Sequence, residues 1–252
     1  MVDVNSSPIS SDLGRVADRI AASAVLGGEF CDRLTRSLTQ LYALAEAAFS
    51  DADLDCFDTI LVRVAPTADV DARLDLSDRI STTRRPPRRI LLRLARDEIE
   101  VARPLLTNSP ALTDEDLVEI ARLCGATHLE AIAERTELSI RVTDVLVLRG
   151  DDIVRRIVAG NGGAHISDKS FSRLSLQARE DSVVEARLIG RQDLPDVVIR
   201  FLVEHGSVAA RDLLEQRDAH AAERMPHASI RSLVAAEDGW LEPYDFTAAA
   251  AV

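Results

Sequence analysis

The chain has 252 residues, 46% of them hydrophobic and 29% charged, which is enough to bury a core and too apolar for a disordered chain. Its formal net charge of −12 repels phosphate backbones and anionic lipid, and so argues against general nucleic-acid or membrane-surface binding. Aromatics make up only 4%, so helices packed through aliphatic side chains are favoured.

Residues 1–10 read as a loose tail, and their polar, acidic character is not that of a signal peptide. From Asp12 a helical period appears in Leu13, Val16 and Ile20, with Gly27 and Gly28 as a stop. Phe30, Leu34, Leu38, Leu41, Ala45 and Phe49 continue the period on one predicted face. Ser50 with Asp53 has the form of a capping box opening a helix through Leu54, Phe57, Ile60, Leu61 and Val64, which Pro66 ends. Asp69 can cap the next helix, with Val70, Leu74 and Ile80.

The run "TTRRPPRR" at 82–89 is a predicted loop, since paired prolines suit a first turn and not a helix interior. A helix through Arg96 follows it, and beyond 97 the helices become short and regular. Caps are predicted at Thr113, Thr127 (a box with Glu130), Ser139, Asp151, Ser167, Asp181 and Ser207, with Pro195 at a first turn and Gly150 and Gly206 as stops.

The chain also repeats itself. Val101 matches Val154, Asn108 matches Asn161 and Ala111 matches Ala164, each 53 apart; Arg135 matches Arg191 and Leu138 matches Leu194 at 56. The drift suits insertions in loops. One period holds four helices, or roughly 27 residues per helix pair, a little below the common helical-repeat lengths. The fold class expected is all-α: a helical N-terminal region followed by a HEAT-like α-solenoid of short helix pairs, each burying its apolar face on the next. The segments expected are a tail at 1–10, an N-terminal helical region at 11–83, the repeat domain at 84–217, and a C-terminal helix with an aromatic tail at 218–252.

The stretches "LARDEIEVARPLLTNSPALTDEDLVEIAR", "THLEAIAERTELSIRVTDVLVLRGDDIVRRIVAGNGGAHIS" and "GRQDLP" resemble an uncharacterised bacterial family, a domain of unknown function similar to degenerate HEAT or leucine-rich-repeat-variant solenoids. The resemblance covers roughly 85–215 by the repeat criteria. It implies the fold and implies no activity.

Several residues are candidates for chemistry. Arg84, Arg85, Arg88, Arg89, Arg93 and Arg96 form a basic run in an acidic chain. They are either a solvated loop and polar helix face neutralising acidic neighbours, or an anion-binding patch for an acidic or phosphorylated partner or a nucleotide. No aromatics are interleaved, as nucleic-acid stacking would need. Arg135 and Arg191 each stand at a helix end, where a cation suits the dipole and the last carbonyls; the functional alternative is a row of guanidiniums facing a partner. Asn108 and Asn161 suit turns through a left-handed conformation and bonds to their own backbone.

His128, near the start of its helix, is a weak candidate phosphoryl acceptor. The five histidines form no metal-ligand spacing, and "GNGG" at 160–163 lacks the lysine and strand of a phosphate loop, so no metal or cofactor is expected. Cys31, Cys56 and Cys124 form no CxxC and read as reduced, mostly buried thiols. Trp240, Tyr244 and Phe246 in "GWLEPYDF" are either a segment folding back on the open end of the solenoid or a docking peptide.

The function expected is that of a cytoplasmic, non-enzymatic scaffold or adaptor in bacterial signalling or regulation. Its partner would be another protein, with a small anionic ligand as an alternative and no membrane contact. Two alternatives stand beside it: an enzyme or phosphotransfer protein using His128, and a nucleic-acid-binding HEAT-like protein. Self-association is left open by the sequence.

Overall fold

The computed structural model describes residues 8–21, 26–45 and 49–217. Among them the fold is all-α, with fourteen α-helices and no strand. The first compact unit runs to Arg135 and the second begins at Thr136.

The first unit holds α1 (Pro8–Ala21), α2 (Gly28–Ala45), α3 (Asp51–Val64), a 3₁₀ turn (Ala65–Thr67), α4 (Val70–Ser81), α5 (Arg88–Leu94), α6 (Ile99–Asn108), α7 (Asp114–Leu123) and α8 (Ala126–Ala133). Helices pack on the next but one: α1 on α3, α2 on α4, α3 on α5, α4 on α6 and α6 on α8. This alternation passes through residue 83 without a break. The second unit holds α9 (Ile140–Arg149), α10 (Asp152–Gly160), α11 (Asp168–Ala178), α12 (Ser182–Ile189), α13 (Asp196–His205) and α14 (Val208–Arg217). The same alternation joins α9 to α11 to α13, and α10 to α12 to α14.

Local chemistry sets most helix starts. The Ser50 hydroxyl accepts from the Asp53 amide while the Asp53 carboxylate accepts from the Ser50 amide at 2.9 Å, so α3 opens on a capping box. Thr113 and Asp116 make the same reciprocal pair on α7. Asp69, Ser139, Asp151, Ser167 and Asp181 each accept from a first-turn amide as expected, and Ser207 does so for Ala210. In α3 the spacing then buries Phe57, Ile60, Leu61 and Val64 on one face, each at most 1% exposed.

Four expectations are corrected. Thr127 is not a cap: α8 starts at Ala126 behind Gly125, whose carbonyl accepts from His128 and Leu129, so Thr127 already lies inside the helix. Gly28 opens α2 instead of ending a helix, with the Gly27 carbonyl accepting from Cys31 at 3.0 Å. The buried face of α2 is Cys31, Thr35, Leu38, Thr39 and Tyr42, one position round from the predicted stripe, and Phe30 is 45% exposed. Tyr42 brings this about by packing with Phe49 and Phe57 at ring centroids 5.9 and 6.0 Å away. Finally, neither asparagine is left-handed, since no non-glycine residue described has a positive φ. Asn161 does bond its local backbone, accepting from the Gly163 amide at 2.9 Å.

Cys31 is buried, Cys56 and Cys124 are half-buried, and none of the three is in a disulfide. Burial, with Asp32 beside it, pushes the Cys31 thiol up; burial, with Asp53, Asp55 and Asp18 nearby, does the same for Cys56. Both remain protonated at neutral pH, the unreactive form. Among the described residues no helix is long and apolar enough to cross a membrane.

Candidate functional site

The basic run is built mostly into the scaffold. Arg88 grips Asp116 of α7 with one nitrogen at 2.6 and 2.7 Å from the two carboxylate oxygens, and Arg96 pairs with Glu119 of the same helix at 3.0 Å. Arg85 pairs with Asp51 at the start of α3. Arg89 meets Asp58 of α3 at 3.1 Å. Asp58 is 4% exposed and also accepts from the Arg89 and Ile90 amides at 2.8 and 2.7 Å. α5 has no side-chain cap of its own behind Pro87, so Asp58 caps it from a neighbouring helix. Four of the six arginines thus neutralise neighbouring acids. Arg84 and Arg93 are exposed, and their side chains have no ion pair or hydrogen bond among the described residues.

Arg93 stands in an open groove of about 700 Å3 lined by Pro66, Arg73, Arg89, Leu92, Arg96 and the Asp97–Glu98 pair. Arg89, Leu92 and Arg93 follow the i, i+3, i+4 spacing of one face of α5, and Arg96 lies two residues past its end. Arg73, on α4, is a groove residue that the sequence reading missed. It is 9% exposed, donates to the Ala68 carbonyl at 2.7 Å and pairs with Asp97 at 2.9 Å and Glu98 at 3.2 Å. The signal was an arginine between Ala72 and Leu76 on the buried face of its helix. Chemically, the groove offers the unengaged Arg93 guanidinium between the ion-paired Arg89 and Arg96, with Pro66 and Leu92 as its apolar lining. That suits carboxylate or phosphate groups, and it brings no nucleophile beside a base.

Arg135 and Arg191 do not form a partner-facing row. Arg135 donates to the Leu106 and Ser109 carbonyls at 2.8 and 2.9 Å, and Arg191 to the Asn161 and Ala164 carbonyls at 2.6 and 2.8 Å. Each reaches back to the end of the helix next but one before it and satisfies carbonyls left open there. Burial lowers the Arg135 pKa, partly offset by Asp114; the group still keeps its charge at neutral pH.

His128 presents Nε2 to the Asp97 carbonyl at 2.9 Å. A carbonyl only accepts, so Nε2 is the donor in this bond, which leaves Nδ1 as the ring's acceptor nitrogen in the neutral imidazole. Among the described residues no cluster of His, Cys, Asp or Glu could hold a metal. The "GNGG" run is a turn after α10, as expected. Trp240, Tyr244 and Phe246 lie outside the described residues.

The model of a bacterial family described as "uncharacterised protein conserved in bacteria (DUF2336)" matches residues 101–252. The chain belongs to this family. The matched DUF2336 region spans α6 to α14 and continues to the last residue, whereas α1 to α5, with the arginine groove's α5 wall, precede it. No curated protein and no solved structure matches the chain.

The acidic ends of these ion pairs set a pH response for this DUF2336 protein. Burial works to raise the Asp116 pKa, but bonds from Arg88 and Thr113 outweigh it and hold the carboxyl below its ordinary value. Burial likewise opposes the bonds that Arg156, Val184 and Val183 give Asp181, whose pKa is also lowered. A carboxyl depressed by folding stabilises the fold above its unfolded pKa of about 3.9, and that stability is lost as pH falls through the lower folded value. Thermal melts should therefore stay level from neutrality to about pH 5 and fall steeply below about pH 4. Asp116→Asn should melt lower at pH 7 and show a shallower acid slope. Parallel pH profiles for variant and wild type would remove Asp116 from this account.

Proposed function

We propose that this protein is a non-enzymatic adaptor that holds an acidic segment of another protein against the α5 groove. In this reading the alternating helix pairs are a HEAT-like solenoid, and the setting is cytoplasmic regulation. The observation carrying it is Arg93: an unengaged guanidinium between the ion-paired Arg89 and Arg96 in one groove of a chain whose net charge is −12. An exposed arginine face flanked by an apolar contact fits a carboxylate-bearing peptide. The packing supports the reading too, since stacked helix pairs expose extended surfaces suited to macromolecules.

The structure also dictates the test. Replacing Arg88 and Arg89 would disturb the Asp116 and Asp58 contacts, so loss of binding could follow from damage to the fold. Arg84→Glu with Arg93→Glu leaves those contacts intact. Wild type and this double variant are compared as baits in bacterial lysate, with captured proteins identified by mass spectrometry. The expected result is an acidic partner enriched by wild type, released by about 0.5 M salt, and lost with the double variant at unchanged helical circular dichroism and Tm. A partner retained by the double variant overturns the groove assignment.

A further inference from the structure

From Arg85 to Arg96 each arginine is matched to one acid, with one exception. Arg85 pairs with Asp51, Arg88 with Asp116, Arg89 with Asp58 and Arg96 with Glu119. Arg93 lies four residues after Arg89 and three before Arg96. Like charges at the four-residue helix spacing repel, and no acid among the described residues pairs with Arg93. Arg89 spends Nε on Asp58 at 3.1 Å and one terminal nitrogen on the Thr59 hydroxyl at 2.9 Å, which holds its fork in place. Its other terminal nitrogen has no hydrogen bond among the described residues. The whole fork of Arg93 and a spare nitrogen of Arg89 therefore line the same groove, one turn apart on α5.

The rest of the lining limits what those donors can take. Asp97 and Glu98 both pair with Arg73, and each of the three Arg73 nitrogens lies within 3.2 Å of an oxygen, so Arg73 adds little to the cationic wall. The Glu98 side chain is 61% exposed, so its carboxylate repels a run of acids spread along the groove. A lone carboxylate would occupy Arg93 and leave the Arg89 nitrogen idle, in the one-to-one pattern of the protein's own pairs. A compact group of higher charge, held close to α5, fits better. A phosphoryl group carries three acceptor oxygens and nearly two charges at neutral pH, so it can reach Arg93 and Arg89 together. Leu92 and Pro66 offer an apolar lining to the side chain that bears it, and a groove of about 700 Å3 has room for a peptide segment as well as the anion.

We infer that the α5 groove binds a phosphorylated serine or threonine of a partner protein, clamped by Arg93 and the spare nitrogen of Arg89. This rests on the reading of the groove as an adaptor site and narrows it: the partner is captured once it is phosphorylated, so the protein reports a modification state. Binding breaks none of the ion pairs that hold α5 to its neighbours.

Fluorescence anisotropy on the full chain tests this with two labelled peptides, identical except for a central phosphoserine or glutamate between leucines. The phosphoserine peptide should bind at least about tenfold more tightly at pH 7.5. That advantage should shrink by pH 5.5, as the phosphoryl group loses its second charge near about pH 6, while the glutamate peptide, which titrates near about pH 4.3, changes little. Arg93→Glu should abolish phosphopeptide binding at unchanged helical circular dichroism. Equal affinities for the two peptides, binding of neither, or full phosphopeptide binding by Arg93→Glu overturns the inference. Inorganic phosphate that displaces the phosphopeptide at equal concentration also overturns it, since the groove would then hold a free anion. Phosphatase treatment of the lysate separates this inference from the reading beneath it. A partner captured by wild type, lost with Arg84→Glu/Arg93→Glu and indifferent to phosphatase leaves the adaptor groove standing and removes the phosphate.

Discussion

Gly163→Ala should destabilise the second unit by about 3 kcal/mol or more, at the upper end of what overpacking costs, whereas Gly162→Ala should be nearly silent. The two glycines are adjacent in one turn and differ in what surrounds them. A Cβ on Gly163 would fall within the van der Waals radius of the Thr136 carbonyl oxygen and lie 2.9 Å from its carbon, whereas one on Gly162 would meet nothing within 4 Å. Positive φ plays no part, because no glycine described has it. Close approach of two backbone segments is the cause. Neither segment can easily yield, since Leu138 donates to the Gly163 carbonyl at 3.1 Å and His165 donates to the Leu138 carbonyl at 2.9 Å, a small parallel bridge. Thermal melts of the two variants beside wild type give the answer: a fall of roughly 10 °C for Gly163→Ala and little change for Gly162→Ala. Two variants that melt together would mean that the turn is free to move.

That pair of glycines shows where the sequence stops being informative. Helix caps were legible because the signal is local: Ser50, Asp69, Thr113, Ser139, Asp151, Ser167 and Asp181 each bond an amide two or three residues ahead. Thr127 carried the same signal and failed because the helix had already begun at Ala126. The 53- and 56-residue echoes were legible too, and they anticipated that α9 and α13 would be equivalent. Contacts between repeats were not. Nothing near Asp58 says that it caps α5, 31 residues on, and nothing near Gly163 says that Thr136 lies against it. The basic run of the candidate site was visible as composition, but the sequence could not divide it into arginines held by Asp51, Asp58, Asp116 and Glu119 and the two that are not held. That division depends on which helices stack, and Arg73 enters the groove for the same reason.

Arg191→Ala should lower stability by about 3 kcal/mol, the scale for removing one member of a buried, bonded charge set, and Arg191→Lys should recover only part of the loss. The side chain is 4% exposed, its guanidinium carbon sits 5.6 Å from the centre of the Phe171 ring, and it is held by Asp193 at 2.8 and 2.7 Å. Its remaining donors meet the Asn161 and Ala164 carbonyls. Truncation strands those carbonyls away from water and leaves a void over Phe171. Lysine restores the charge, but a single ammonium cannot reproduce a planar fork that spans two carbonyls and a carboxylate. Asp193, at 53% side-chain exposure, is the lesser partner, and Asp193→Ala should cost under about 1 kcal/mol because solvent already screens that pair. Urea unfolding followed by circular dichroism ranks the three variants; the order Ala, then Lys, then Asp193→Ala is expected, from the largest loss to the smallest. If Asp193→Ala costs as much as Arg191→Ala, the ion pair and not the carbonyl clamp holds the turn. The clamp has a physical reason to recur at Arg135: a helix that stops early, to let the chain turn back, leaves open carbonyls facing the next layer, and one guanidinium from that layer satisfies two of them at once.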